Sequence, residues 1–344
     1  MRVLIVKTSS MGDVIHTLPA LTDATKAIPG ITFDWVVEEN FAEIPAWHPA
    51  VDRVIPMAWR RWRKSLFSMT TLSEIRAFRA TLRERTYDLI IDAQGLVKSA
   101  VFSRFAKGVH CGLDWSSARE SWAALFYQQT CTVIFEQHAV VRARSLFSQA
   151  LKYPLPEGVA DYGIDRNRFI SDAALRPYFV FLHGTTWATK HWPEPSWVEL
   201  AKKASLAGFQ IKLPWGSPAE HERALRIAKD CENAEVLSRL DLAGMAKVLA
   251  GAKAIVAVDT GLGHLAAALD VPTISLYGPT NPVLTGALGR SQVHMSAKFA
   301  CAPCLSKVCT YRDDSSLGQP SPLYPPCFAS LSSSSVWAEL TMLL

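Results

Sequence analysis

The sequence predicts an α/β protein of two parallel-sheet domains, and three observations carry that expectation. At 344 residues the chain is longer than one hydrophobic core usually serves, so two domains of roughly 150 to 180 residues follow. Short β-branched runs alternate with amphipathic stretches in two sets: RVLIVK, FDWVVEE, DRVIPM and YDLIIDAQG, then YFVFLHGTT, GFQIKLPWGS, AKAIVAVDTG and VPTISLYGPT. Continuous apolar strands need burial on both faces, which calls for parallel sheets covered by helices. Between the sets YPLPEGVADYGIDRNRF, rich in Pro, Gly and polar residues, marks a linker near 153–176. The expected domains are 1–165 and 177–344.

Composition narrows the function classes. With 49% hydrophobic and 19% charged residues the chain is that of a folded protein, and a net charge of +5 is too mild for a nucleic-acid scaffold. In MRVLIVKTSSMGD only four apolar residues follow Arg2 before Lys7, too short for a secretory core, so the segment reads as a buried strand. No run of eighteen apolar residues occurs, and a cytoplasmic location is expected. Seven cysteines, an odd number in so long a chain, do not make a disulfide framework.

In open α/β sheets ligands bind at the carboxyl ends of the strands. Read in order, those ends deliver Lys7-Thr8-Ser9-Ser10, Glu38-Glu39, Asp92-Ala93-Gln94-Gly95, His183-Gly184-Thr185-Thr186, Trp215-Gly216-Ser217, Asp259-Thr260-Gly261 and Gly278-Pro279-Thr280. Two domains facing each other would gather these loops around one cleft.

KTSSMGDVIHTLPAL passes from a strand through a small polar loop, with Ser10 and Gly12, into a helix. Free N–H groups at such a helix start attract anions, yet Asp13 brings a carboxylate there. Asp13 reads either as an N-cap or as a base. In the second set Thr185, Thr186 and Lys190 after a strand suit a diphosphate, or form a polar turn with a solvated lysine. VDTGLGHLAAA favours the former, because Gly261 and Gly263 allow close backbone approach where a helix begins. The same loop superficially matches a dinucleotide fingerprint. The acidic residue expected ~20 positions on is missing, so a phosphate or ribose contact is favoured over NAD. Glu220, on the helix start after LPWGSP, can accept a ribose diol or complement the helix dipole.

WRRWRK packs Arg60, Arg61, Arg63 and Lys64 into five positions. Interleaved Trp59 and Trp62 would be costly as free surface, and Arg suits bidentate phosphate or carboxylate binding, so an anionic partner is expected. Gln94 and Lys98 in DAQGLVKSA could extend that patch. For metals there is no Asp-x-Asp pair and no His-x-x-x-His; Asp313-Asp314 sits in a polar tail. No cofactor is required on this reading. Cys301, Cys304, Cys309 and Cys327 are compatible with structural zinc or with reduced structural thiols, since the second pair lacks tight spacing.

Together KTSSMGDVIHTLPALTDA, RRWRK, DAQGLVKSA, DWSSARE, TTWATKHWP, IKLPWGSP and VDTGLGHLAAALD resemble the ADP-heptose:lipopolysaccharide heptosyltransferases of glycosyltransferase family 9, from residue 1 to about 295. Within the family they are most similar to the heptosyltransferase I branch. The resemblance implies a GT-B glycosyltransferase of two Rossmann-like domains, acceptor in the first and nucleotide sugar in the second. The reaction implied is inverting transfer of L-glycero-D-manno-heptose from ADP-heptose to the Kdo of Kdo2-lipid A, at the cytoplasmic face of the inner membrane.

It also implies roles. Asp13 falls on the general base and Lys190 on a catalytic cation. Ser10, Gly12, Thr185, Thr186, Glu220, Leu240, Asp259, Thr260, Gly261 and His264 fall on donor positions, with Leu240 where the family often has a methionine against the adenine. Arg60, Arg61, Arg63, Lys64, Gln94, Lys98 and Arg119 fall on the acceptor side. The tail from about 297 to 335 is more like the cysteine-bearing segment of heptosyltransferase II relatives, which makes transfer to an already heptosylated core the first rival. An NAD-dependent oxidoreductase and a non-catalytic binder of anionic glycolipid are the others.

Overall fold

The computed structural model describes residues 1–170, 176–311 and 324–344. Asp313 and Asp314 lie outside the described residues. The chain divides into two compact units, Met1–Asp165 and Arg166–Leu344.

In the first unit the strands are β1 (Arg2–Val6), β2 (Thr32–Glu38), β3 (Val51–Met57), β4 (Thr86–Asp92), β5 (Lys107–Leu113) and β6 (Gln129–Cys131). The helices are α1 (Met11–Ala27), α2 (Glu43–Ala46), α3 (Trp59–Trp62), α4 (Met69–Arg83), α5 (Val97–Ser103) and α6 (Ala139–Leu151). In the second unit the strands are β7 (Tyr178–Leu182), β8 (Gln210–Leu213), β9 (Ala234–Val236), β10 (Ala254–Val258), β11 (Thr273–Tyr277) and β12 (Gln292–Ser296). Its helices are α7 (Glu194–Leu206), α8 (Pro218–Ala228), α9 (Leu242–Ala250), α10 (Gly261–Ala268), α11 (Pro282–Thr285) and α12 (Ser333–Met342).

Each unit holds a six-stranded sheet, ordered β3-β2-β1-β4-β5-β6 and β12-β11-β10-β7-β8-β9, and every pairing is parallel. Counted within its own unit, the second order is the first read from the other end. Both are doubly wound, and the order reverses between β1 and β4 and between β7 and β10. All eight strands expected from β-branched runs are present. The four others, β5, β6, β9 and β12, are short or carry Gly, Gln and His, and β6, β9 and β12 occupy sheet edges where sparse hydrophobicity suffices.

The central strands justify their composition. Val3, Leu4, Ile5, Ile90 and Ile91 in one sheet and Phe179, Val180, Phe181, Ile255 and Val256 in the other are 0% exposed. At about 25 cal/mol per Å² of apolar area, each such side chain contributes roughly 1.5–3 kcal/mol before entropy is counted. In the first unit Leu4, Val6, Trp62, Phe78, Leu82 and Phe102 form a core under α4 and α5. A buried pair, Arg144 Nε to Asp23 Oδ2 at 2.6 Å, ties α6 to α1. In the second unit α12 covers α7, with Val336 and Leu340 in the same core as Trp192 and Trp197. Among the described residues no helix is long and apolar enough to cross a membrane.

Candidate functional site

At the first switch point Lys7 Nζ donates to the Ala93 carbonyl at 2.9 Å, joining the end of β1 to the end of β4. Gln94 is buried beneath the β1–α1 loop and accepts from the N–H groups of Thr8 (2.9 Å) and Ser9 (3.2 Å). It therefore shapes the loop rather than widening a surface patch. The loop hands over to α1 at Ser10, which is the N-cap; Asp13 is the third helical residue. One carboxylate oxygen of Asp13, Oδ2, accepts from Ser10 N–H (2.7 Å) and Ser10 Oγ (2.8 Å). The expected choice between cap and base thus changes form: Ser10 is the cap, and Asp13 is the reciprocal acid of a capping box, its rotamer set by the helix start.

Asp13 stands among cations. Lys7 is half-buried and desolvation lowers its pKa, while Asp13 and Asp92 act in the opposite sense and Arg142 and Arg119 reinforce the drop. Burial likewise lowers Arg142, against the pull of Asp13. The Arg142 guanidinium lies over the Phe135 ring at 4.4 Å, and its Nε is buried with no hydrogen-bond partner among the described residues. Such an orphaned donor beside a carboxylate marks a place for an anionic or hydroxylated ligand. Lys7 stands among the strand-end residues read from the sequence, where no role is assigned to it; Arg142 stands outside them, and no local pattern says that it will meet Asp13 of another helix.

Asp92 is fully buried and its pKa is raised by desolvation, although Gln94 N–H (2.8 Å) and Tyr127 Oη (2.8 Å) bind it. Gly95 adopts φ +67°, and a Cβ there would lie 3.3 Å from Leu113 Cδ1 and 3.4 Å from Arg119 N. That close approach brings the exposed Arg119 beside the end of β4, and the half-buried Lys98 follows on the first turn of α5.

The basic run departs from expectation. Trp62 is 3% exposed and packs on Phe78, while the half-buried Trp59 packs on Phe102 at 5.2 Å, so Trp62 is core and Trp59 leans on the core. Arg61 donates to both oxygens of Glu74 at 2.8 Å and also reaches Glu39. Two carboxylates already occupy it and raise its pKa, Glu74 foremost. Arg60 lies over Phe41 with its N–H on Glu38, whereas Arg63 and Lys64 are exposed.

At the second switch point Thr185 Oγ1 donates to the Asp259 carbonyl at 3.0 Å, joining β7 to β10. Lys190 Nζ lies 2.7 Å from Asp259 Oδ2 and 4.4 Å from the Trp187 ring centroid. The other oxygen, Oδ1, is 4.0 Å from His264 Nε2. Thr260 is the N-cap of α10, Gly261 its first residue, and Gly263 lies on its first turn, with Ala257 Cβ at 3.4 Å from the Cβ it lacks. Thr186 stands beside Thr185 in the loop that follows β7.

Glu220 is the third residue of α8 and accepts from Gly216 N–H (2.8 Å) and Ser217 N–H (3.0 Å) through Oε2. Its Oε1 faces Gly184, where a Cβ would come within 2.6 Å. One oxygen caps the helix and the other meets the end of β7. Leu240 is half-buried directly before Asp241, the N-cap of α9. At the end of β11 the buried Thr280 Oγ1 has no hydrogen-bond partner among the described residues, an unused hydroxyl at the same sheet edge. In short, the donor candidates Thr185, Lys190, Asp259 and His264 form one connected cluster, and Thr260 and Gly261 start the adjoining helix.

The model for glycosyltransferase family 9 (heptosyltransferase) matches residues 75–313. The chain belongs to glycosyltransferase family 9. It is therefore a glycosyltransferase, and the NAD-dependent oxidoreductase reading of the Gly261-x-Gly263 loop falls. Relatives agree: lipopolysaccharide heptosyltransferase 1 of Pseudomonas aeruginosa is 61% identical, covering 100% of this chain and 98% of its own. Lipopolysaccharide heptosyltransferase 1 of Escherichia coli K12 is 56% identical over 85% of this chain and 92% of its own. Lipopolysaccharide heptosyltransferase 2 of the same strain is 26% identical over 84% and 86%. Among solved structures, E. coli heptosyltransferase WaaC with ADP superposes at TM-score 0.88 with 49% identity, each chain covered completely.

Two expectations concern the tail. The Pseudomonas match spans the whole chain, so the cysteine-bearing tail is included in the alignment with that heptosyltransferase 1. Cys301, Cys304, Cys309 and Cys327 do line one cavity of about 20 Å³. Among the described residues, however, no group of three or more His, Cys, Asp or Glu side chains is placed to hold a metal ion, and structural zinc finds no support. Burial raises the Cys327 thiol to about 11, which keeps it protonated at neutral pH.

Proposed function

We propose that the chain transfers L-glycero-D-manno-heptose from ADP-heptose to the Kdo residue of Kdo2-lipid A, with inversion at the anomeric carbon. The observation that carries the reading is the 61% identity to a lipopolysaccharide heptosyltransferase 1 over the complete chain. E. coli WaaC has been solved with ADP and with ADP-2-deoxy-2-fluoro heptose, which supports ADP-heptose as donor here.

Asp13 takes the proton of the acceptor hydroxyl, whose oxygen attacks the anomeric carbon while ADP departs from the opposite face with the bonding pair. Its rotamer is set by Ser10, and Lys7 and Arg142 bring positive charge to its side of the loop. Lys190, Thr185, Thr186 and the start of α10 at Thr260-Gly261 stabilise the charge that grows on ADP. Glu220 Oε1 takes ribose hydroxyls, Leu240 covers the adenine, and Asp259 with His264 orients Lys190. Arg60, Arg63, Lys64, Lys98 and Arg119 hold acceptor anions, while Arg61 and Gln94 act through the residues they position. With a lipid acceptor, the enzyme works as a peripheral protein at the cytoplasmic face of the inner membrane.

The test is ADP release from ADP-heptose with defined acceptors. Turnover with Kdo2-lipid A is expected. Turnover only with an already heptosylated core would overturn the acceptor, and binding of lipid A without any ADP release would leave a non-catalytic binder.

A further inference from the structure

Residues 59–83 hold seven cations against the single acid Glu74, a net +6, while the whole chain nets +5; everything else together comes to −1. The basic excess of the chain is therefore concentrated in this segment, four cations in WRRWRK and three on α4. Between them runs the loop SLFSM, where Leu66 is 41%, Phe67 95% and Met69 76% exposed. The three cations of α4 share one face. The inner face of that helix, Thr71, Phe78 and Leu82, is buried. Its outer row, Met69, Leu72, Arg76, Arg79 and Arg83, runs at alternating spacings of three and four, and all five are exposed. Two apolar residues thus continue the loop, and three arginines follow.

Glu74 does not neutralise this face, because Arg61 and Trp62 occupy it. Among the described residues no ion pair takes Arg76, Arg79 or Arg83; Arg79 lies over the Phe105 ring at 5.6 Å. Apolar tips at a loop, beside a row of cations with no acid partner, match a boundary with acyl chains on one side and anionic headgroups on the other. A folded protein partner would want a packed concavity, and a nucleic acid would want more than one aromatic for stacking.

We propose that the Leu66–Met69 loop and the outer face of α4 dock on an anionic bilayer, Phe67 entering the acyl boundary and Arg76, Arg79 and Arg83 lying at headgroup level. This deepens the lipid-acceptor reading above and rests on it only for its purpose. Full-length protein is sedimented with phosphatidylcholine vesicles, with and without phosphatidylglycerol. Binding is expected on the anionic vesicles alone and falls with salt. Phe67→Ser lowers it on the order of tenfold, and Arg76→Gln with Arg83→Gln about fivefold per arginine. Both variants keep their turnover of a deacylated Kdo acceptor, which shows them folded. Equal binding to both vesicle types, or parental binding by both variants, overturns the proposal. So does a Phe67→Ser change from dimer to monomer with unaltered vesicle binding, which would make the face a contact between copies. Vesicle binding without turnover of any acceptor upholds the docking face and removes the proposed reaction.

Discussion

Lys190 Nζ and Asp259 Oδ2 lie 2.7 Å apart, with side chains only 15% and 9% exposed. A pair this sheltered is costly to break from one side. Lys190→Gln is expected to cost about 3 kcal/mol in stability through the stranded carboxylate, and to weaken ADP binding by roughly 1.5–3 kcal/mol through the lost charge-assisted bond. Thermal unfolding and titration calorimetry read the two separately. The double variant Lys190→Gln, Asp259→Asn should recover stability and not affinity.

Asp13 allows a sharper separation. Asn accepts from Ser10 as Asp does, so Asp13→Asn should keep fold and ADP affinity while lowering single-turnover transfer by about 10²–10⁴. Glu is the preferred partner in a capping box, so Asp13→Glu should hold the helix at least as well and still transfer poorly. Unimpaired transfer in the Asn variant would return Asp13 to a purely structural role.

Gly184 faces Glu220 Oε1, the far end of a flexible side chain. Gly184→Ala should therefore weaken ADP-heptose binding by displacing the carboxylate, and lower the melting temperature only as far as Oε2 leaves the α8 cap. Glu220→Ala should weaken binding and lower the melting temperature, with about 1 kcal/mol lost from the cap. Equal donor affinity in the two variants and the parent would limit Glu220 to capping.

Arg61 is held by Glu74 and Glu39, whereas Arg63 and Lys64 are exposed. Arg61→Gln is expected to leave the acceptor KM nearly unchanged, and Arg63→Gln to raise it severalfold. The opposite ranking would show that the acceptor displaces the two glutamates.

Acid should unfold the protein early. His48, His110 and His183 are buried, and desolvation pushes each down to about 4. Ala50 N–H donates to His48 Nδ1 at 3.1 Å, so the proton sits on Nε2 and points at Thr22 Oγ1, 3.0 Å away. A second proton would face the Ala50 N–H. Because each folded pKa lies below the unfolded 6.5, the stabilisation is complete above pH 6.5 and is lost as pH falls from there to 4. On the order of 3 kcal/mol per histidine is at stake. Urea midpoints across pH 7 to 4 should drop, and His48→Gln should flatten the drop.

Much of this was legible because the strand ends hold both the fold's edge and its chemistry. YDLIIDAQG and AKAIVAVDTG announce a buried strand and its loop in one run, so Asp92, Gln94 and Asp259 could be named before any coordinates. What stayed hidden depends on partners far along the chain. Nothing near Arg142 says that it will stand by Asp13, and nothing in WRRWRK says that Trp62 turns inward onto Phe78 while Arg61 is taken by Glu74. Local pattern gives periodicity and charge; it does not say which neighbour neutralises which. The division of labour within Glu220, one oxygen to a helix end and one to Gly184, is a matter of tertiary distance alone.

The shared strand order has a practical side. The end of α7 at Leu206 and the turn that leads from it into β8 lie at the strands' amino-terminal edge, opposite the carboxyl edge that carries Thr185, Lys190 and Asp259. Leu206 is 90% exposed there, and a Cβ added at Gly208 meets nothing within 4 Å, though φ +86° argues for leaving that glycine in place. A fluorophore or affinity handle attached at Leu206 would monitor the second unit from its silent rim and leave the chemistry as found.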